Sequence, residues 1–168
     1  IPPASTYHLY PNIATVYAAL ADRFAEELDA RLAQPYTGDE AESWSSIVTT
    51  AVARASALYQ QRPDYRRLIL GGTAPAEVKL SDRENDEAIG QIIIDAISQH
   101  FELPDFPRRQ QVFFHSVEIS DLMFMISQIR HGEITPEMSR ESARAMVGYL
   151  RMYLPEYLPE KTNQGSSR

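Results

Sequence analysis

The chain has no cysteine among its 168 residues. That excludes a disulfide framework and any thiol-based metal or redox site, and it fits a reducing cytoplasm, where the chain is expected to reside. No apolar run approaches the roughly 18 residues that a membrane span needs, and no signal-peptide pattern is present, so no membrane partner is expected. Glycine is sparse, at seven residues, and most of it sits between periodic segments; Gly90 and Gly148 are the exceptions. No stretch alternates with a period of two, so strands are not expected. The four histidines, His8, His100, His115 and His131, lie too far apart for metal-ligand spacing on one helix. A nucleophile motif and a glycine-rich phosphate loop are also missing, and Gly71-Gly72 reads as a helix stop. Neither an enzyme nor a bound cofactor or metal is expected. Basic residues are outnumbered, 16 Lys and Arg against 23 Asp and Glu, for a net charge of −7. Phosphate recognition is driven by cations, so the body of the chain is not a nucleic-acid surface. A small DNA-reading element on an acidic body remains compatible with this charge.

What is present is helical patterning. With 43% hydrophobic and 23% charged residues the chain is globular, and its length suits one domain or one domain plus a fragment. A short helix over 3–9 is opened by Pro2-Pro3 and closed by Pro11. Asn12 is the expected N-cap of a helix over 13–33, whose Ile13, Val16, Tyr17, Leu20, Phe24, Leu28 and Leu32 recur every three or four residues. An acidic loop occupies 35–42. Ser43 caps a helix over 44–61, Pro63 breaks it, and a short helix over 64–70 ends at Gly71-Gly72. Residues 73–80 read as a loop. Ser81 and Glu84 have capping-box spacing, with Asp82 as the rival cap, before a helix over 83–101. A long helix over 108–131 stops at Gly132, and Thr135-Pro136 opens a last helix that runs to 154, before Pro155. The tail, 159–168, ends in KTNQGSSR, lacks an apolar anchor and is expected to be mobile.

The helix over 108–131 is apolar on more than one face. Val112, Ile119, Leu122, Ile126 and Ile129 form one stripe with His115 in line, and Phe113, Val117 and Phe124 form another, with Phe114, Asp121 and Met125 beside it. A surface helix needs one such stripe, so two imply cover on two sides. The last helix carries Ser142, Ala145, Gly148 and Met152 near one side, with Tyr149 among its apolar remainder. Glycine inside a helix costs roughly 0.5–1 kcal/mol relative to alanine, which suggests a packing reason for Gly148. Two such helices from each of two chains form a four-helix interface, with His115, Ile119, Leu122, Ile126, Ser142, Ala145, Gly148, Tyr149 and Met152 as its expected members.

The opening string, IPPASTYHLYPNIATVYAALADRF, resembles the end of the DNA-binding domain of TetR-like transcriptional regulators. In that family a recognition helix ends in a Tyr-x-x-aromatic pattern, here Tyr7 and Tyr10, followed by a break, here Pro11-Asn12, and a long linking helix. The helix order through ITPEMSRESARAMVGYLRMYLP is similar to the family's ligand-binding and dimerisation domain. The resemblance implies an all-α fold in three parts: the remnant of a helix-turn-helix domain with its linking helix (1–33), a helical ligand-binding and dimerisation domain (34–158) and the tail. The family has two helices ahead of the recognition helix, which this sequence lacks; the resemblance therefore implies a longer chain, and weak DNA binding by these 168 residues alone. Ile13 stands where the family often has a phosphate-contacting lysine, so one cationic contact is missing.

The resemblance implies a dimeric, ligand-responsive regulator, a repressor released from operator DNA by a small hydrophobic or amphipathic effector. Pro3, Ala4, Ser5, Tyr7 and His8 are the expected DNA contacts, at the end of a helix that enters the major groove. The expected effector pocket is lined by Trp44, Ile47, Val48, Tyr59, Ile89, Ile93, Phe113, Phe114, Val117, Asp121 and Phe124, an apolar cavity with a polar group or two. The alternative is an all-helical small-molecule-binding or interaction module that never touches DNA. The acidic charge and Ile13 favour that alternative.

Overall fold

The computed structural model describes residues 13–71 and 76–161, and the expected DNA contacts Pro3, Ala4, Ser5, Tyr7 and His8 lie outside the described residues. The described chain is all-helical: α1 (Ile13–Leu32), α2 (Trp44–Gln61), α3 (Pro63–Leu70), α4 (Ala76–His100), α5 (Arg109–His131) and α6 (Pro136–Leu150). Among the described residues no strand forms beyond one isolated antiparallel bridge between Phe101 and Glu160.

The helix boundaries follow local chemistry. Ser43 caps α2 through its hydroxyl, which accepts from the Ser46 N–H at 3.0 Å. Thr135 caps α6 in the same way, accepting from Met138 N–H at 3.2 Å, with Pro136 at the first helical position. α5 stops at Gly132, whose φ of 75° is the left-handed conformation that glycine adopts without strain. Two boundaries differ from the sequence reading. α4 begins at Ala76, so Ser81 and Glu84 lie inside a helix and do not box its start. Ala-Glu-Val-Lys-Leu (76–80) contains no breaker, and a helix propagates through such residues once nucleated. α6 ends at Leu150, because the next amides close i→i+3 bonds, Met152 to Tyr149 and Tyr153 to Leu150, tightening the chain ahead of Pro155. The acidic loop contains a single 3-10 turn, Gly38–Ala41.

The helices pack as a ring in the order α1, α4, α5, α6, α2, closed by α2 against α1, and α3 fills one end between α1 and α5. α1 turns Ala21, Phe24, Leu28 and Leu32 inward, and α5 contributes Val112, Phe113, Val117 and Phe124. α5 is long and apolar enough to cross a membrane by composition alone, yet its inner face packs on α3, α4 and α6. Small residues let it sit close to both neighbours. Ser120 and Ser142 meet hydroxyl to hydroxyl at 2.7 Å between α5 and α6, both buried. On the α4 side, a Cβ added to Gly90 meets the Phe114 nitrogen at 3.1 Å and the Phe113 carbonyl carbon at 3.3 Å. Those are backbone atoms, so they can yield only if the helices part. Gly90→Ala is therefore expected to destabilise the fold by about 1–2 kcal/mol, the overpacking penalty outweighing the gain in helix propensity. The check is the urea unfolding midpoint; an unchanged or higher midpoint shows that the pair separates freely.

The chain beyond α6 is a strap. Trp44 Nε1 donates to the Pro155 and Glu156 carbonyls at 2.9 and 3.2 Å, and Leu154 and Leu158 are buried. Glu102 N–H then donates to Pro159 O at 2.7 Å, and Lys161 N–H to His100 O at 2.8 Å. The expected mobile tail is thus hydrogen-bonded through Lys161, because α4's terminal carbonyl offers a partner that its own helix cannot use; residues 162–168 lie outside the described residues.

Candidate functional site

Two features of this bundle have chemistry beyond packing. The first is a pair of cavities in its interior, at the level where the second half of α2 faces the middle of α5. One, of about 30 Å3, is walled by Leu28, Leu32, Ala51, Val52, Ala55, Tyr59, Ile89, Ile93, Val117, Ser120, Asp121, Phe124 and Met146. The other, of about 20 Å3, shares Leu28, Tyr59, Ile89 and Asp121 with it and adds Phe24, Ile69, Asn85 and Asp86. A groove of about 330 Å3 opens beside them between α3, α4 and α5, with Ile69, Leu70, Arg83, Glu118, Ile119, Asp121, Leu122 and Met125 along it. Asp121 is common to all three. As closed here, each cavity has room for water or a small head group, well below the roughly 300 Å3 of a drug-sized pocket.

The walls are aromatic where the two cavities meet. Phe24 lies 4.8 Å from Tyr59 and 5.1 Å from Tyr65 between ring centroids, the latter pair stacked, and Tyr59 meets Phe124 edge-on at 5.9 Å. Against these rings stands Asp86, 1% exposed. Taking a carboxylate out of water into such surroundings is costly, which makes its position informative. Above the groove, Arg83 pairs with Glu118 at the surface. At the α3 end the buried Arg66 guanidinium donates to Gln128 Oε1 at 2.7 Å, Gly132 O at 3.0 Å and Tyr59 O at 3.3 Å. It ties α3 to the carbonyl end of α5, where a positive charge suits the helix dipole.

The second feature is an outward face shared by α5 and α6, opposite the side of α5 that packs inward. Ile119 and Ile126 are half-buried on it, while Leu122 is 50% exposed and Ile129 62% exposed. On α6, Ala145 and Tyr149 are half-buried and Met152 is 79% exposed. His115 Nδ1 lies 3.4 Å from the Tyr149 hydroxyl, which joins the two helices' faces. Burial, together with the neighbouring Tyr153, pushes the Tyr149 hydroxyl up to about 12, so it remains a neutral donor at any physiological pH. Gly148 is exposed, and a Cβ there meets nothing within 4 Å, so nothing in this chain requires glycine at that position.

No family model, curated protein or solved structure matches the chain.

Of the residues expected to line a pocket, the structure brings six together: Tyr59, Ile89, Ile93, Val117, Asp121 and Phe124. Trp44, Ile47, Val48 and Phe113 do not join them; they are buried in the core elsewhere. They differ from the six in depth along the bundle. Trp44 holds the C-terminal strap, and Phe113 lies beside Gly90, a turn before Val117. Phe114 is half-buried, its ring 5.5 Å from that of His115. Of the expected interface residues, Ser142 is turned inward against Ser120 and cannot reach a partner chain, whereas His115, Leu122, Gly148 and Met152 are exposed. The sequence reading missed Asp86. Its signal was there: it stands three residues before Ile89 and seven before Ile93, a carboxylate on an apolar stripe.

Proposed function

We propose that the chain is the sensing and pairing body of a dimeric, ligand-responsive DNA-binding regulator of the TetR type, with operator DNA as its second partner. The observation that carries this is the coexistence of an interior site and an outward apolar face on the same helix, α5. Leu122, Ile126 and Ile129 expose more apolar surface in one stripe than a helix at a water boundary needs. The neighbouring stripe of α6 adds Ala145, Tyr149 and Met152, and Gly148 leaves room for a close approach. A second copy placed on this face by a two-fold axis buries it in a four-helix bundle. Cavity walls and interface stripe then share a rigid element. A ligand that prefers one packing of the cavity shifts the population of dimer geometries. α1 carries such a shift to whatever precedes it, since Leu28 and Leu32 line the cavity directly. Recognition helices must sit about 34–36 Å apart to meet successive major grooves, so a modest rotation of α1 is enough to release a repressor. The −7 net charge is consistent with DNA contact confined to a separate small element.

The alternative, a helical small-molecule-binding or interaction module without DNA binding, keeps the cavity and the face and drops the operator. One experiment separates the two. Protein expressed from its complete reading frame is incubated with a random duplex library and the bound fraction is sequenced after several rounds. Enrichment of a palindrome with half-sites one helical turn apart is the expected result. Recovery of no sequence above the random background removes the regulator and leaves the binding module.

A further inference from the structure

A second groove, of about 450 Å3, runs between α2 and α6 and shares no residue with the cavities or with the groove beside Asp121. The two helices are antiparallel, since Trp44 at the start of α2 meets Pro155 and Gln60 at its end donates to Ile134 O. α6 lines the groove with Arg140, Arg144 and Arg151, and among the described residues no carboxylate lines it. On a chain of net charge −7 that is a local inversion of sign. Packing accounts for only part of this cation set. Arg151 caps α6, where a positive charge suits the helix dipole, and pairs with Glu156 at 2.9 Å. Arg144 pairs with Glu141 on its own helix. Arg140 stands in the second turn of α6, where the dipole offers a cation nothing, and among the described residues it has no hydrogen bond or ion pair. Gly148 lies between Arg144 and Arg151, one turn from each, and its bare backbone deepens the floor formed with Ala143 and Val147.

We infer that this groove binds a compact anion carrying two or more phosphoryl groups. A guanidinium presents five donors in a planar fork, so pairing with one glutamate leaves donors over. A phosphoryl group has three acceptor oxygens where a carboxylate has two, so one group can bridge two arginines. The helical rise places Arg140 and Arg144 about 6 Å apart along the axis, and Arg144 and Arg151 about 10 Å apart. One phosphoryl group fits between the first pair and another over Gly148, between the second. Across the groove, Ser45 adds a donor when the Ser43 hydroxyl, 2.9 Å away, gives its own proton to it. Glu141 and Glu156 are partly exposed, and exposed ion pairs contribute little, so both can be released to water when the anion arrives. Among the described residues no aromatic ring lines the groove, so the ligand is read by its charge and not by a base or ring. The site is independent of the effector cavities and of the regulator reading.

The test is isothermal titration calorimetry of the 168-residue chain at low salt with three probes: inorganic tripolyphosphate, orthophosphate and hexaglutamate. Tripolyphosphate is expected to bind at least about tenfold more tightly than either of the others, because it reaches more than one arginine at high charge density. Arg140→Gln and Arg144→Gln are each expected to weaken it at least about fivefold, and Glu141→Gln, which frees Arg144, to tighten it. Arg23→Gln removes an exposed charge from α1 and is expected to leave the affinity unchanged. All four positions are at the surface, and circular dichroism confirms that each variant is folded. An equal loss in Arg23→Gln and Arg140→Gln reduces the effect to net charge and overturns the site. Orthophosphate binding as tightly as tripolyphosphate overturns the multiple phosphoryl groups. Tighter binding of hexaglutamate overturns the phosphoryl class in favour of an acidic peptide. Absence of tripolyphosphate binding at millimolar concentration overturns the inference as a whole. None of these outcomes touches the operator or the cavities, so a failure here is distinct from a failure of the proposed function.

Discussion

Leu122→Glu is expected to turn a dimer into a monomer in multi-angle light scattering while leaving the circular dichroism spectrum and unfolding midpoint of the chain nearly unchanged. Within one chain Leu122 is half in water, and its inward neighbours on α5, Ser120 and Phe124, face the other way. A carboxylate at 122 stays solvated there, and surface substitutions of that kind shift stability by no more than about 0.5 kcal/mol. In the paired state the same carboxylate lies between Ile119 and Ile126 on a face closed by a second copy. It is buried without a cation, and two-fold symmetry introduces it twice. A penalty of about 3 kcal/mol or more corresponds to at least a hundredfold weaker association. The unsubstituted chain must be dimeric for the comparison to mean anything, so its own mass is measured first. A monomeric parent at micromolar concentration removes the four-helix interface, and a dimeric Leu122→Glu moves it to another surface.

What the sequence made legible is the part governed by local rules. Ser43, Pro63, Gly132 and Thr135-Pro136 each mark a boundary, because caps and breakers act on the residues next to them. The inward stripe of α1 and the double-faced character of α5 follow from a period of 3.6. Depth along the helix axes does not. Periodicity shows that Trp44, Ile47 and Val48 point inward together with Tyr59, but not that the cavity lies at Tyr59's end of α2. That level is set by how far α1 and α4 slide past α2, which depends on tertiary contacts such as Gly90 against Phe113 and Phe114. Ser142 shows the same limit in rotation. Small residues at 142, 145 and 148 suggest one close-packed edge, yet the first meets α5 of the same chain and the last faces outward. Asp86 was overlooked for a different reason. A charged residue on a helix is read as surface by default, and only its place in line with Ile89 and Ile93 argues otherwise.

Phe124→Ala is expected to lower stability by about 3–5 kcal/mol and to make the loss recoverable by a small aromatic ligand. Phe124 is 1% exposed, and its ring closes one wall of the larger cavity and meets Tyr59 edge-on at 5.9 Å. Truncation removes the transfer free energy of the benzyl group, the ring contact with Tyr59 and the filling of the space between α1, α2 and α5. The walls that remain, among them Leu32, Val52, Ile93 and Val117, are held by four different helices and cannot collapse together. The void therefore persists, stays largely apolar, and accepts a ring in place of the one removed. Benzene or toluene in excess is expected to restore part of the lost unfolding temperature, by mass action on the folded state alone, and to leave the unsubstituted chain unaffected at the same concentration. Restoration in the variant only shows that the cavity wall, and not the outer face of α5, sets the stability of the middle of the bundle. A drop of under about 1 kcal/mol shows the walls to be soft enough to close over the gap. That softness is what an interior that opens for a ligand has to possess, so the size of this one number decides whether α5 transmits occupancy to the pairing face by moving as a rigid rod or by repacking around the guest.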